Sequence, residues 1–243
     1  FIADKDYHTW LDKYSLSLNQ LPVPRVSKES EDSFDKLRLY QTNFSYTEEE
    51  INEVLVKMSI DGQEPIGSMG DDTNLAPFDI KYSTFFDFFR QRFAQVTNPA
   101  IDPIREALVM DLTTYFGVGW NMFYDGDKFC KQIKIDSPIL TNIQLQQLSH
   151  SQNEYFKTVV ISVLSKVDEN EDFVIEKKLE FIFAETREAV EGGCNCIILS
   201  DKGLSKDHIA LPILLVVSGL HHYLIDHGIR GGVGIFVETG EAR

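Results

Sequence analysis

This sequence is short of cysteine, short of basic residues and without a long apolar run, and each shortage narrows what the chain can be. Only 23 Lys and Arg stand against 38 Asp and Glu, a net charge of −15 over 243 residues. A nucleic-acid or anionic-membrane face needs a surplus of positive charge, so neither partner is expected. The best candidate for a membrane span, Ile209 to Leu220, is shorter than the roughly 18 residues a bilayer requires and is broken by Pro212 and Gly219. The opening residues do not read as a secretory signal peptide. Three cysteines, Cys130, Cys194 and Cys196, cannot all pair with one another, which favours a reducing compartment. Cys194 and Cys196, at the entry to a strand, suit buried structural thiols better than a shared cluster.

What is present is an ordinary globular composition, long enough for a sizeable core. The expected fold class is α/β: a helical N-terminal part, then a strand–helix–strand–helix–strand half with parallel strands. Residues 1–40 read as an extended or linker arm from a preceding domain, with a short helix over 7–18 and an acidic stretch at 27–36. Residues 41–243 read as the α/β domain. Thr47 and Glu50 form a capping box for a helix ended by Asp61-Gly62. Ser83 or Thr84 opens a second helix over about 84–94, loaded with Phe85, Phe86, Phe88, Phe89 and Phe93, which suits a core or a domain interface. Asp102 and Pro103 start a third helix expected to reach about Tyr115.

The second half alternates. Phe156 to Leu164 is β-branched and reads as a strand, 172–190 as an amphipathic helix stopped by Gly192-Gly193, and Cys196 to Leu199 as a short apolar strand. Ile209 to Asp226 reads as a helix stopped near Gly228, and Val233 to Val237 as a buried-type strand. Short loops between such elements imply parallel pairing.

Asp71-Asp72, inside Gly67-Ser68-Met69-Gly70-Asp71-Asp72-Thr73, are the first candidates for chemistry. Paired acids do acid–base work when burial splits their pKa values. Adjacent loop carboxylates also cap helices or bond backbone N–H groups, or line a channel or interface. Gln95-Val96-Thr97-Asn98-Pro99 presents small polar side chains on a backbone held by Pro99 and Pro103. His221 and His222 lie about 100° apart on a helix, unsuited to the i, i+4 metal pair, while Asp226 sits within reach of His222. Gly231-Gly232-Val233-Gly234 enters a strand rather than leaving one, unlike a dinucleotide fingerprint. No iron–sulfur cysteine pattern and no nucleophile elbow occur.

Three stretches in order carry a resemblance: the Gly67–Thr73 loop with Phe93 to Glu106, then Leu199-Ser200-Asp201, then His221-His222 and Val237 to Arg243. Over roughly 60–243 the chain resembles the central domain of the large subunit of glutamate synthase, a rudimentary (β/α) barrel. Asn74, Pro77 and His221-His222-Tyr223 depart from the usual wording. Phe1-Ile2 opens without Met, and Glu241-Ala242-Arg243 follows directly on an apolar strand, so a piece of a longer polypeptide is expected. The resemblance implies an oxidoreductase acting on CH–NH2 donors. Its amidotransferase domain hydrolyses glutamine, and its flavin domain uses the ammonia to reductively aminate 2-oxoglutarate. It implies FMN and an iron–sulfur cluster for the whole enzyme and no cofactor, metal or catalytic residue in this part. The implied role is to connect the amidotransferase and FMN domains and to help line the ammonia path, through Met69, Gly70, Asp71, Asp72, Thr73, Asn74, Thr97, Asn98, Asp102 and Arg105. The implied location is the cytoplasm, or a plastid in a photosynthetic eukaryote, and the chain alone is expected to self-associate. The competing readings are a stand-alone small-molecule-binding module and a hydrolase using Asp71, Asp72 or His222.

Overall fold

A computed structural model of the chain describes residues 6–24, 34–63, 65, 74–78, 84–89, 93–95, 101–117, 126–153, 156–167 and 174–241. Helix α1 (Tyr7–Tyr14) is shorter than expected, because Ser15 turns extended (φ −80°, ψ 143°) and the chain leaves as strand β1 (Leu16–Ser17). Helix α2 (Phe34–Asn43) follows, reaching back into the stretch read as acidic linker. Helix α3 (Glu48–Glu50) opens on the expected capping box: Glu50 N–H donates to Thr47 Oγ1 at 3.2 Å, and Thr47 N–H to Glu50 Oε2 at 2.9 Å. A π turn (Ile51–Leu55) runs into helix α4 (Val56–Asp61), which Gly62 closes at φ 61°.

The phenylalanine run is not a long helix among the described residues. It is a 3₁₀ turn, Phe85–Phe89, held by Asp87 Oδ2, which accepts from Thr84 N–H at 2.7 Å. Phe86 packs on the main core, whereas Phe88, Phe89 and Phe93 are 51, 67 and 65 % exposed. Helix α5 (Pro103–Val109) starts at its expected cap but stops well before Tyr115. Asp111 Oδ1 accepts from Thr113 N–H at 2.8 Å, and the β-branched Thr113 and Thr114 lead into strand β2 (Thr114–Gly117).

Strand β2 pairs antiparallel with β3 (Gln132–Ile135), and β1 pairs parallel with the other edge of β3, Leu16 opposite Ile133. This small sheet, together with helix α6 (Asn142–Ser149), covers one face of the principal sheet through Leu18, Leu21, Ile133, Ile135 and Leu148. The principal sheet contains β4 (Gln152–Asn153), β5 (Phe156–Ser162), β7 (Cys196–Ser200) and β9 (Gly234–Glu238), in that order across the sheet. Strands β5, β7 and β9 are parallel, as expected. The intervening pair, β6 (Leu164–Lys166) and β8 (His208–Ala210), is antiparallel. The helix was expected to begin at Ile209, within residues 208–210. They pair as β8 instead, and helix α8 (Ile213–Asp226) starts after Pro212.

Helices α7 (Val174–Glu191) and α8 cover the opposite face. Every residue of β7 is buried. Ile197 and Leu199 face the helices, and Cys196 and Ile198 face the small sheet and α6, as a period of two requires of a strand covered on both sides. Three consecutive parallel strands with two helices on one face make a partial α/β unit; the described residues do not close into a barrel. No helix among them is long and apolar enough to cross a membrane.

Candidate functional site

The C-terminal ends of parallel strands are where α/β folds gather polar groups, because loops there are free to vary while the sheet holds them. Here the ends of β7 and β9 bring together Ser200, Asp201, Glu238, Thr239 and Glu241. Asp201 is 8 % exposed. Its Oδ2 accepts from Thr239 Oγ1 at 2.6 Å and from Gly240 N–H at 3.0 Å, and its own N–H donates to the Glu238 carbonyl at 3.1 Å. Ser200 Oγ donates to Glu238 Oε2 at 2.5 Å. Glu241, also buried, accepts from Ile213 N–H at 2.7 Å and so places a carboxylate at the start of α8, where Pro212 offers no side-chain cap. Tyr46, just before α3, donates its hydroxyl to the Gly240 carbonyl at 2.9 Å. The helical N-terminal part is thereby tied to the strand ends.

Burial raises the Asp201 carboxyl above its usual range. Bonds from Thr239 and Gly240 oppose the rise, and neighbouring Glu238 adds to it. A folded-state value above the unfolded one means that the native chain holds the proton more tightly. The stability from this group is present below the unfolded value, about 3.9, and is lost as pH rises through the folded one. Asp201→Asn cannot ionise and escapes that loss. The parent's margin over Asp201→Asn is therefore expected to be larger at about pH 3.5 than at about pH 7. Urea denaturation at both values checks it, and a margin that grows with pH contradicts the sign.

Of the residues singled out in the sequence, Met69, Gly70, Asp71, Asp72, Thr73, Thr97 and Asn98 lie outside the described residues. Asn74 is exposed, ahead of a 3₁₀ turn at Ala76–Phe78. Asp102 and Arg105 come together, but as a local helix start. Asp102 Oδ1 accepts from Ile104 and Arg105 N–H at 3.1 and 3.0 Å, and Arg105 Nε lies 3.4 Å from Asp102 Oδ2. This exposed pair contributes little to stability. His222 is exposed and, among the described residues, makes no hydrogen bond to Asp226. Its neighbour His221 accepts instead from Arg230 Nε at 2.9 Å, and Arg230 also donates to the Val233 carbonyl at 2.6 Å. The described residues hold no cluster of three metal-ligating side chains. Cys196 is buried and its thiol is pushed up to about 12, an inert structural group, while Cys130 and Cys194 are half-buried.

The acidic cluster at the strand ends was missed as a site. Its signal was present: an acid at the end of each of two adjacent parallel strands, Asp201 directly after β7 and Glu238 as the last residue of β9, with Glu241 three residues further on.

Three ordered parallel strands, two helices on one face and a helical extension bonded to the strand ends define an α/β domain with a barrel-like but open sheet. The chain belongs to the glutamate synthase central domain family, whose model matches residues 39–243. It is 36 % identical over 237 residues to the glutamate synthase [NADPH] large chain of Bacillus subtilis (strain 168), covering 98 % of this chain and 15 % of that protein. It is 36 % identical over 241 residues to the ferredoxin-dependent glutamate synthase of Antithamnion sp., covering 97 % and 15 %. It is 32 % identical over 249 residues to the glutamate synthase [NADH] of Schizosaccharomyces pombe (strain 972 / ATCC 24843), covering 98 % and 12 %. The chain thus spans about one seventh of the length of the curated relatives it matches.

Proposed function

We propose that this chain is the connecting domain of a glutamate synthase that converts glutamine, 2-oxoglutarate and reductant into two molecules of glutamate. It joins the amidotransferase and FMN domains of one polypeptide and lines part of the ammonia path, while the chemistry, the FMN and the iron–sulfur cluster belong to the other domains. The observation that carries this reading is the amount of large apolar side chain left uncovered on the N-terminal part. Ile60, Phe78 and Phe89 are 75, 77 and 67 % exposed, and Ile104 and Leu108 on α5 are 87 and 79 % exposed. Apolar surface of this kind marks contact with neighbouring domains. Relatives named for NADPH, ferredoxin and NADH all contain the domain, which supports a role independent of the electron donor.

In the loops Met69–Asn74 and Thr97–Asn98, it is Thr73, Asn74, Thr97 and Asn98, rather than Asp71 and Asp72, that suit passage of neutral ammonia. Their hydroxyl and amide groups hydrogen-bond a small amine, whereas a carboxylate fixed in the lumen would favour ammonium, which is costly to move through a dry interior. In the full-length enzyme, Thr97→Val or Thr73→Leu is expected to uncouple glutamine hydrolysis from glutamate formation while sparing synthesis from added ammonia. The ratio of glutamine consumed to glutamate formed measures this. An unchanged ratio in both variants removes the loops from the path.

A further inference from the structure

The principal sheet ends on one side at β9, and among the described residues no strand pairs with its outer edge. Gly234 N–H donates to the Asn195 carbonyl at 2.9 Å, and the Glu238 carbonyl accepts from Asp201 N–H at 3.1 Å. The even-numbered residues of β9 thus turn their backbone groups toward β7, and the N–H and C=O groups of Ile235 and Val237 point outward. A free edge is normally blunted by charge, proline, a bulge or shortness. The opposite edge is blunted in this way, since β4 is only the two polar residues Gln152–Asn153. Strand β9 has no such device over Ile235-Phe236-Val237, and its register with β7 is unbroken. It is also packed on both faces, Ile235 on the helix side and Phe236 on the small-sheet side, as an interior strand is. A groove of about 840 Å³ borders β9 from Arg230 to Thr239, and its other walls include Phe116, Ile139, Leu140 and Leu145.

We propose that this groove seats a further strand of the same polypeptide, parallel to β9 and lying 38 positions beyond it, one more step of the spacing between Ser200 and Glu238. The spacing follows from the register. Thr158, Cys196 and Gly234 stand side by side, as do Ser162, Ser200 and Glu238. Each step is a strand followed by a helix on the same face of the sheet, α7 and then α8. A third step of the same length and right-handed sense delivers a strand to the open side of β9. The polypeptide to supply it is long enough: these residues cover 15 % of the Bacillus subtilis relative, and the proposal rests on the reading that they are one part of such an enzyme. A tethered strand meets the edge at an effective concentration of about a millimolar. A second copy of the chain has no such advantage and brings another net charge of −15. The result is a sheet that continues, hydrogen-bonded, into the next part of the enzyme.

The test is a photo-cross-link in the full-length polypeptide, with p-benzoylphenylalanine in place of Ile139, a groove wall that is 83 % exposed and so tolerant of substitution. Peptide mapping is expected to place the cross-link roughly 30–45 residues beyond Glu238 on the same molecule, one strand–helix–strand unit away. Amide exchange of the unmodified full-length polypeptide, read residue by residue, is the second measurement. The Ile235 and Val237 amides are expected to exchange about a hundredfold or more slower than those of an open edge, and close to the rate of Phe236, whose N–H faces β7. The proposal is overturned if the folded variant gives no cross-link, or gives it only within residues 1–243, elsewhere in the polypeptide or on a second copy. It is equally overturned if the Ile235 and Val237 amides exchange as an open edge does. Should the Ile139 variant fail to fold, exchange in the parent decides. The ratio of glutamine consumed to glutamate formed is read separately, so the strand and the ammonia route can fail independently.

Discussion

Leu199→Ala is expected to lower the unfolding free energy by about 2–5 kcal/mol, the range for a buried leucine cut back to a methyl group. Leu199 is 0 % exposed and lies on the middle parallel strand, opposite Ile161 on one side and Val237 on the other. Its side chain belongs to the core formed with α7 and α8, including Ile182, Val216 and Leu220. Neighbouring strands hold it on both sides, so the structure cannot collapse into the space left behind. Val160→Ala is the control, since Val160 lies on the same sheet but is 50 % exposed. Its expected cost is below about 1 kcal/mol. Urea denaturation with an unchanged slope measures both. Equal costs would mean that this sheet is not the centre of stability.

Gly240→Ala is the second large effect. A Cβ placed on Gly240 would lie 2.5 Å from Phe44 Cε2 and 2.7 Å from Cδ2. Phe44 is 6 % exposed, so its ring has little room to retreat, and Tyr46 bonds the Gly240 carbonyl. The expected cost is about 1–3 kcal/mol, typical of a methyl forced into a packed site. Phe44→Leu shortens the offending group. In the double variant the two substitutions should therefore cost less than the sum of each alone. Strict additivity in the cycle would show that the ring and the glycine do not meet.

The larger principal elements were legible because their signals are local. The Thr47–Glu50 box, Asp102-Pro103 and the glycines after α7 and α8 act within one turn of the residues they terminate. The apolar run Cys196 to Leu199 declares a strand covered on both faces. The small sheet was not legible, because its partners are two to four residues long and far apart in the chain. Leu16 meets Ile133, and nothing in either short segment announces the other. Helix boundaries failed where a local turn competed, as at Asp111–Thr113, or where tertiary pairing won, as at His208–Ala210. The strand-end carboxylates went unread as a site for a related reason. Asp201 and Glu238 look like ordinary surface acids until the parallel register sets Ser200 beside Glu238.

The parallel register has one more consequence, for synthesis on the ribosome. Bonds between adjacent strands join residues 38 positions apart, Lys157 with Asn195 and Ser200 with Glu238. At roughly 5–20 residues per second, each such interval takes about 2–8 s to translate. Strand β5 therefore waits for its first parallel neighbour, and that pair waits again for the next, with apolar faces open throughout. The nascent domain spends seconds as an incomplete sheet, the state in which a chaperone has most to shield.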